Sequence, residues 1–261
     1  MIGVFDSGLG GLTVVRAIME RLPGYDILYF GDTARAPYGS KSPATVIKYA
    51  VENTEFLLSR GARAVVLACN TTSSIATDLL RRRFDIPIFE VISPAVDLAV
   101  RVSRQGRIGI IGTRATIASG AYEALIKARR PESRVFARAC PLLVPLVEEG
   151  WLKKPETRMI VKDYLRPLKI RQIDTLILGC THYSLLTDLI QSKIGRRVRV
   201  VDSSTGVVNG IQTLCEQDPG WLSQLRREGH YRFMVSDFTE PLESVAAAIF
   251  NRRIHLETLT A

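Results

Sequence analysis

Short apolar runs alternate with amphipathic stripes along the chain. Residues 1–5 form an apolar run, and apolar residues then recur at helical spacing, at Leu12, Val15, Ile18 and Leu22. An apolar run closed by a polar turn is typical of a buried parallel strand, and the stripe that follows is typical of an amphipathic helix. Because this alternation continues along the chain, it predicts an α/β protein with parallel sheets and helices on both faces.

The same patterns predict the remaining elements. Further strands are expected at residues 26–30, 64–68, 87–92, near 135, 175–178, 198–201 and 231–235. Helices are expected at residues 43–61, up to about 83, from about 116, around 162, from about 184, 206–216 and 240–250. Ser42 followed by Pro43 marks one helix start, because serine caps helix N-termini and proline suits the first helical position.

Two segments of the first half have counterparts in the second. Ile2-Gly-Val-Phe-Asp-Ser7 is similar to Ile108-Gly-Ile-Ile-Gly-Thr113, and Leu67-Ala-Cys69-Asn-Thr71 is similar to Leu178-Gly-Cys180-Thr-His182. The matches occur in the same order at nearly equal spacing, which indicates an internal duplication, although two matches could also be coincidence. Duplication would give two similar α/β lobes.

Polar residues follow the predicted strands at several points. In open parallel sheets, ligands bind beyond the carboxyl ends of the strands. The candidate residues at such ends are Asp6, Ser7, Cys69, Asn70, Thr71, Thr113, Cys180, Thr181 and His182. We therefore expect these residues to meet in a cleft between the two lobes.

The composition narrows the class of protein. The 261 residues are 46% hydrophobic and 23% charged, which is ordinary for a globular chain of one or two domains. The apolar runs are too short to cross a bilayer, and the first residues lack a secretory signal, so we expect a cytoplasmic protein. The net charge of +9 suits an acidic small molecule, and without an aromatic-basic pattern we expect no nucleic-acid or membrane partner.

The four cysteines are Cys69, Cys140, Cys180 and Cys215. None stands in a C-x-x-C arrangement, so we expect no metal, and a reducing compartment argues against disulfides. Cys140 and Cys215 are expected to be small buried or half-buried residues. Cys69 and Cys180 each end a strand and precede a predicted helix, whose positive end favours the thiolate.

The paired cysteines have two interpretations. They can be small core residues at strand ends, or they can act as an acid and a base on opposite sides of a cleft. One thiol would then remove a proton from carbon and the other would return one on the far face, which inverts a stereocentre. Since one acid or base supplies about 10²–10⁴-fold, the carbanion also needs donors, for which Asn70, Thr71, Thr113 and Thr181 are suited.

Asp6 and His182 are the candidate partners of the two thiols. Asp6 could manage protons for Cys69, or it could simply cap the turn that follows it. His182 could assist Cys180, since a histidine ordinarily titrates near neutrality, although histidines are often structural. The sequence leaves both alternatives open.

Further candidates lie on loops. Glu148 and Glu149 are equally possible as an additional carboxylate, and either could be a surface residue. Tyr38 and Gly39 could close over a ligand or form an ordinary turn. The chain has no lysine motif for pyridoxal phosphate and no flavin signature, and its glycine-rich turn departs from dinucleotide-binding spacing, so we expect no cofactor.

Five motifs of the chain resemble those of bacterial glutamate racemases, in the same order and over essentially the whole length. They are Asp6-Ser-Gly-Leu-Gly-Gly11, Gly31-Asp32 with Pro37-Tyr-Gly39, Cys69-Asn-Thr71, Val144-Pro-Leu-Val-Glu-Glu-Gly150 and Gly179-Cys-Thr-His-Tyr183. The wider aspartate/glutamate racemase superfamily shares the paired cysteines. The chain departs from the usual pattern at Thr72, Leu143 and Ser184, none of which removes a candidate catalytic group.

The resemblance implies two Rossmann-like, flavodoxin-like lobes related by a pseudo-two-fold axis, with the active site between them. Residues 1–95 and 206–261 would form the first lobe and residues 96–205 the second. The implied activity is cofactor-independent interconversion of L- and D-glutamate, which supplies D-glutamate for peptidoglycan. The resemblance also implies a homodimer.

The resemblance further implies roles for individual residues. Cys69 would take the α-proton from D-glutamate and Cys180 from L-glutamate, with Asp6 supporting Cys69 and with His182 and Glu148 supporting Cys180. The implied substrate contacts are Asp6, Ser7, Tyr38, Gly39, Asn70, Thr71, Thr113, Thr181 and His182.

Two other functions compete with this one. The protein could be a racemase for aspartate or another amino acid, because the sequence does not show how far the side-chain carboxylate reaches. It could also be a two-lobed binding protein without turnover, although the presence of both cysteines with Asp6 and His182 argues against that. A contact with DNA gyrase is possible in this family, but the charge of +9 does not establish it here.

Overall fold

The strands form two parallel sheets. The structure, a computed structural model, describes residues 1–218, 220, 223 and 225–259. In chain order the strands are β1 (Ile2–Asp6), β2 (Ile27–Gly31), β3 (Ala64–Leu67), β4 (Ile88–Glu90), β5 (Arg107–Gly112), β6 (Arg134–Ala139), β7 (Thr175–Gly179), β8 (Arg199–Asp202), β9 (Tyr231–Val235) and β10 (Glu257–Thr258).

Helices separate most of these strands. In the same order they are α1 (Leu12–Arg21), α2 (Pro43–Ser59), α3 (Asn70–Arg83), α4 (Ile92–Val102), α5 (Arg114–Ala118), α6 (Ala121–Arg129), α7 (Leu143–Glu148), α8 (Pro155–Ile170), α9 (Thr187–Ile194), α10 (Val207–Gln217) and α11 (Glu240–Phe250). Short 3₁₀ turns lie at Thr33–Arg35, Tyr38–Ser40 and Thr181–Leu186. Among the described residues, no helix combines the length and the apolar character that a bilayer crossing needs.

Four strands of the larger sheet have the same order as the four strands of the smaller sheet. The first runs β10-β9-β2-β1-β3-β4 and the second runs β6-β5-β7-β8, with every described pairing parallel. The order β2-β1-β3-β4 therefore recurs as β6-β5-β7-β8, so β5 is the counterpart of β1 and β7 that of β3. This repetition confirms the expected α/β fold of two similar lobes with parallel sheets.

Each sheet is covered on both faces, which explains its continuous apolar strands. Helices α1, α10 and α11 bury one face of the first sheet, and α2 and α3 bury the other. Helices α7, α8 and α9 pack on one face of the second sheet, and α4 and α6 pack on the other. All residues of β1, β3 and β7 are buried, so the strands that precede the candidate site form a rigid base.

The tail of the chain returns to the first sheet. Strand β9 pairs with β2, and α10 packs in the same core as α1. Helix α4 instead packs on β5 and β7, with Ile92 and Ala95 in the core of the second lobe. Because the expected boundary between residues 95 and 96 falls inside this helix, we propose that the second lobe begins at Ile92.

Several predicted elements match the structure closely, and others do not. The Ser42 hydroxyl accepts a hydrogen bond from the Thr45 backbone N–H over 3.3 Å, as expected of a cap. The helix expected from about residue 184 begins only at Thr187, because a 3₁₀ turn occupies the preceding residues. The helix expected from about residue 116 is two helices, α5 and α6, separated at Gly120, whose φ of +68° only glycine adopts easily.

Candidate active site

Residues that follow β1, β3, β5 and β7 meet around a narrow cavity between the lobes. Its volume is about 20 Å³, which is room for about one water molecule. The residues lining it are Ser7, Pro37, Tyr38, Gly39, Cys69, Asn70, Thr71, Thr113, Val144, Glu148, Cys180, Thr181 and His182. The structure therefore brings both thiols of the repeated motifs to one cavity.

The expected site residues lie at this cavity with one exception. Asp6 is fully buried and does not line the cavity, although its neighbour Ser7 does. Glu148 lines the cavity whereas Glu149 is exposed on the outside of α7, so the structure distinguishes two carboxylates that the sequence did not. Pro37 and Val144 also line it; they stand within the quoted motifs but were not expected to be site residues.

Cys69 lies at the end of β3, where α3 begins with the next residue. Its thiol is within hydrogen-bonding distance of Ser7, with 3.5 Å between Sγ and Oγ. Burial raises the pKa of the Cys69 thiol, and the nearby Asp6 carboxylate raises it further, while the Ser7 contact opposes the shift. Burial and a neighbouring negative charge therefore oppose the effect expected of the helix end at Cys69.

Cys180 lies at the equivalent place after β7, but no α-helix begins there. The 3₁₀ turn that follows is short, so the expected macrodipole is weak at this thiol. A ring nitrogen supplies the local charge instead, since Nδ1 of His182 lies 3.9 Å from Sγ of Cys180. The two thiols thus have equivalent places in the fold and different neighbours.

His182 is held between a thiol and a carboxylate. Its Nε2 lies 3.2 Å from Oε1 of Glu148, on the opposite side of the ring from Cys180. Burial alone would lower the pKa of His182, but Cys180 and Glu148 together raise it well above its ordinary value. The carboxylate near Nε2 and the sulfur near Nδ1 thus favour the charged imidazolium. The positive ring therefore lies beside the sulfur of Cys180.

Asp6 connects the two lobes from beside the cavity. Its carboxylate accepts a hydrogen bond from the Gly8 backbone N–H over 3.0 Å, and the Thr181 hydroxyl of the second lobe donates to it over 3.4 Å. Burial raises the pKa of the Asp6 carboxyl, and the positive charge of His182 opposes that shift. Both proposed roles of Asp6, as a turn cap and as a neighbour of Cys69, are compatible with this position.

Three threonine hydroxyls form a second bridge between the lobes. Thr71 of α3 lies 2.9 Å from Thr113 and 3.1 Å from Thr116, which are themselves 2.9 Å apart. Thr116 was missed by the sequence reasoning, although its spacing from Thr113 is that of a helix cap, which the structure contains. The triangle fixes the hydroxyls of Thr71 and Thr113 beside the cavity.

Tyr38 contributes its ring to the cavity wall, while its hydroxyl is engaged elsewhere. The hydroxyl is bonded to Asp32, and Asn53 donates to it over 3.0 Å. Nε of Arg35 in turn donates to Asp32 over 2.7 Å. Asp32 and Asn53 thus hold the Tyr38 loop in place; the sequence offered only the Gly31-Asp32 motif as a signal for this.

The site's chemistry comes from thiols, an imidazole and a carboxylate. Lys and Arg are absent from the cavity lining given above, all of which is described. Among the described residues, the side chains with metal-ligand spacing are Asp26, Glu228 and His230, and Asp26 precedes β2, at the opposite end of that strand from the cavity. Thiols, an imidazole and a carboxylate can give and take protons, which equips this cavity for acid and base chemistry.

Known proteins are similar to this chain in sequence and in architecture. The sequence profile of the Asp/Glu/Hydantoin racemase family matches residues 2–209. A glutamate racemase of Syntrophus aciditrophicus is 45% identical over 253 residues, which cover 97% of this chain and 93% of that protein.

Solved structures that are similar to this one come from the same kind of protein as the sequence relatives. A glutamate racemase isoform from Bacillus anthracis superposes with a TM-score of 0.92 at 34% identity, covering 100% of this chain and 97% of that one. A glutamate racemase of Francisella tularensis, crystallised with D-glutamate, superposes with a TM-score of 0.90 at 36% identity, covering 99% and 97%. The resemblance found in the motifs is confirmed, and the chain belongs to the aspartate/glutamate/hydantoin racemase family of isomerases.

Proposed function

We propose that the protein interconverts L- and D-glutamate by moving protons between its two cysteines and the α-carbon. The observation that carries the proposal is the position of Cys69 and Cys180, which come from equivalent strand ends of the two lobes and line one cavity. A base on each side of the substrate is what inversion at carbon needs. Cys180 takes the proton from L-glutamate while Cys69 returns one, and the roles reverse for D-glutamate.

The two thiols do not account for the whole rate. An amino acid α-proton is very weakly acidic, and a positioned acid or base supplies about 10²–10⁴-fold. The remaining barrier is lowered by donors around the developing carbanion. Asn70, Thr71, Thr113 and Thr181 line the cavity and provide hydroxyl and amide donors, and the first turn of α3 provides backbone N–H groups.

The same donors hold the two carboxylates of the substrate. Because the lining has no Lys or Arg, the negative charges are met by neutral donors and by the His182 imidazolium. A cation paired directly with a carboxylate would bind the ground state tightly, whereas distributed donors can follow the charge as it spreads toward the α-carbon. This arrangement suits an acidic amino acid.

Substrate entry requires the lobes to separate. A cavity of about 20 Å³ is far smaller than an amino acid. The lobes approach closely because two glycines leave space: a Cβ on Gly10 would lie 2.7 Å from Nδ1 of His182, and one on Gly39 would lie 2.7 Å from Cγ2 of Thr113. We propose that the structure is the closed form and that opening breaks the threonine and Asp6–Thr181 contacts.

The wider role follows from the product. D-glutamate made in this way would enter peptidoglycan synthesis in the cytoplasm. The homodimer expected from the resemblance stays a prediction, which light scattering of the purified protein would test. Contact with DNA gyrase has no support in the described surface.

Circular dichroism of glutamate with the purified protein and no added cofactor tests the proposed activity. L-glutamate and D-glutamate should each lose optical activity and reach the same racemic end point, while L-aspartate should remain unchanged over the same period. Turnover of aspartate without glutamate would favour the sister racemase. If neither amino acid is turned over, the binding-protein alternative is correct.

A further inference from the structure

Asn70, the residue after Cys69, is bonded to two side chains of the other lobe. The Tyr122 hydroxyl on α6 donates to Oδ1 of Asn70 over 2.5 Å, and Nδ2 of Asn70 donates to the Ser203 hydroxyl over 3.1 Å. Ser203 also lies close to Tyr122, so the three side chains form a ring of neighbours. All three side chains are buried, and neither Tyr122 nor Ser203 lines the cavity.

This ring sets the orientation of the Asn70 amide. An amide presents an acceptor on one side and two N–H donors on the other. The 2.5 Å contact with Tyr122 is typical of O–H···O, and the 3.1 Å contact with Ser203 is typical of N–H···O, so the oxygen faces Tyr122. One N–H of Asn70 therefore stays uncommitted within the described part of the chain, and Asn70 lines the cavity.

We propose that Tyr122 and Ser203 are positioning residues for the reaction. They hold the Asn70 amide so that its second N–H, and not its oxygen, is presented to a carboxylate of the amino acid substrate. The inference rests on the proposed function, because it assigns the donor for that substrate. If the Tyr122 hydroxyl is removed, the amide is free to rotate, and its oxygen then repels the carboxylate.

The carboxylate is present in both enantiomers and in the carbanion between them. A donor to it therefore binds the ground state as well as the transition state, so its loss should raise KM more than it lowers kcat. A change in KM at nearly constant kcat therefore distinguishes a positioning role from a general loss of packing between the lobes. A general loosening of the lobes would instead misplace the thiols and lower kcat.

Tyr122→Phe is the first variant to measure. The ring is retained and still fills the space beside Gly179, where a Cβ would lie 3.1 Å from Cε2 of Tyr122. With glutamate in both directions, KM should rise about tenfold while kcat changes less than about threefold. Tyr25→Phe is the matched control, because Tyr25 is also buried but its hydroxyl contacts Cys215 within the first lobe; its KM should be unchanged.

A double-mutant cycle decides whether the effect passes through Asn70. Tyr122→Phe should raise KM no further in an Asn70→Ala background, whereas an independent structural role would raise it by the same factor in both backgrounds. Ser203→Ala gives a second, smaller rise of about threefold and keeps the test available if Tyr122→Phe folds poorly. An unchanged KM in both single variants, or full additivity with Asn70→Ala, overturns the inference alone. A wild-type protein that does not turn over glutamate overturns the proposed function and this inference together.

Discussion

The surroundings of Cys69 and Cys180 differ although the two residues end equivalent strands. Cys69 lies beside the Asp6 carboxylate, and burial with that charge raises the pKa of its thiol. Cys180 lies 3.9 Å from Nδ1 of His182, whose pKa is raised well above its ordinary value. A negative neighbour favours the protonated thiol and a positive neighbour favours the thiolate. Cys69 thus has a negative neighbour that disfavours its thiolate, whereas Cys180 has a positive neighbour.

The difference shows how a repeated fold can acquire two distinct chemical roles. At the position of Asp6, the second lobe has Gly112, and at the position of Thr71 it has His182. The strands place both thiols in the same way, and the residues that differ between the lobes give the two thiols neighbours of opposite charge. In the proposed mechanism, the two thiols therefore work beside opposite charges, one in each lobe.

The largest expected effect comes from removing either thiol. Cys69→Ala and Cys180→Ala should each lower racemisation at least 10³-fold, because each removes the acid in one direction and the base in the other. Each variant keeps one thiol and should therefore keep half of the reaction. Cys180→Ala should still exchange the α-proton of D-glutamate with solvent, and Cys69→Ala should still exchange the α-proton of L-glutamate.

Cys140→Ala is the matched control for both thiol variants. Cys140 is buried in the second lobe and does not line the cavity. Its removal should leave turnover unchanged. Unimpaired racemisation by either the Cys69 or the Cys180 variant would contradict the two-base mechanism.

The next effect concerns the charge beside Cys180. His182→Asn should lower kcat/KM about 10–100-fold at neutral pH. The raised pKa of His182 means that wild-type activity persists above the ordinary histidine pKa of 6.5 and falls as pH rises through the raised value. The variant lacks the imidazole, so its activity should lose the fall that titration of His182 causes. An unchanged pH profile would show that His182 does not set the pH dependence of the reaction.

L- and D-glutamate have equal free energies, which limits the kinetic constants in which the two directions can differ. The value of kcat/KM must be the same in both directions for every active variant, because the equilibrium constant is one. A His182 effect that differs between the thiols will therefore be found in kcat and KM separately. Both directions need to be measured for that reason.

A smaller effect is expected where the lobes touch. In Gly10→Ala the new Cβ would lie 2.7 Å from Nδ1 and 2.9 Å from the backbone N of His182, so the Cys180 turn must move away. Overpacking of this kind costs about 1–3 kcal/mol, so we expect at least a tenfold loss of kcat/KM with the fold intact.

Gly210→Ala is the control for this variant. Its Cβ would meet Phe89 at 3.6 Å, an ordinary contact, in the interior of α10. Alanine is the better helix former by about 1 kcal/mol, so the thermal midpoint should rise without a change in rate. Full activity of Gly10→Ala would show that the close contact between the lobes is not needed.

The smallest effect is expected at Ser184, where the chain departs from the family pattern. Its hydroxyl oxygen is buried and has no hydrogen-bond partner among the described residues. Since an unpartnered buried hydroxyl costs stability, Ser184→Ala should leave kcat/KM within about twofold and keep or slightly raise the thermal midpoint. A large rate loss would mean that this position helps to place His182.

Local patterns predicted the fold well. The strand at residues 231–235 and the helix at 240–250 match the structure, since their periodicity and turns are contained in the segment itself. Helices α4 and α7, the 3₁₀ turn after Cys180 and strand β10 were missed. Strand β10 is only two residues long and depends on pairing with β9. Most cavity residues were also expected, although Pro37 and Val144 were not, Asp6 lies beside the cavity, and the choice between Glu148 and Glu149 was open from the residues alone.

The charges of the site could not be predicted in the same way. Helix position alone favoured two thiolates, but burial beside Asp6 raises the pKa of Cys69 and opposes that expectation. The partners of Asn70 are more than 50 residues away in sequence, and no local pattern points to Tyr122 or Ser203. Such contacts across the lobes arise only when both sheets are assembled.

The most direct test of two bases on opposite sides is single-turnover racemisation in deuterium oxide, starting from L-glutamate with an ordinary α-proton. If Cys180 removes the proton and Cys69 delivers another, the D-glutamate formed should carry deuterium at the α-carbon while the remaining L-glutamate keeps its proton. The same pattern should hold in reverse from D-glutamate. D-glutamate that retains the original proton would mean that one group carries it from face to face, and this result would contradict the two-base account.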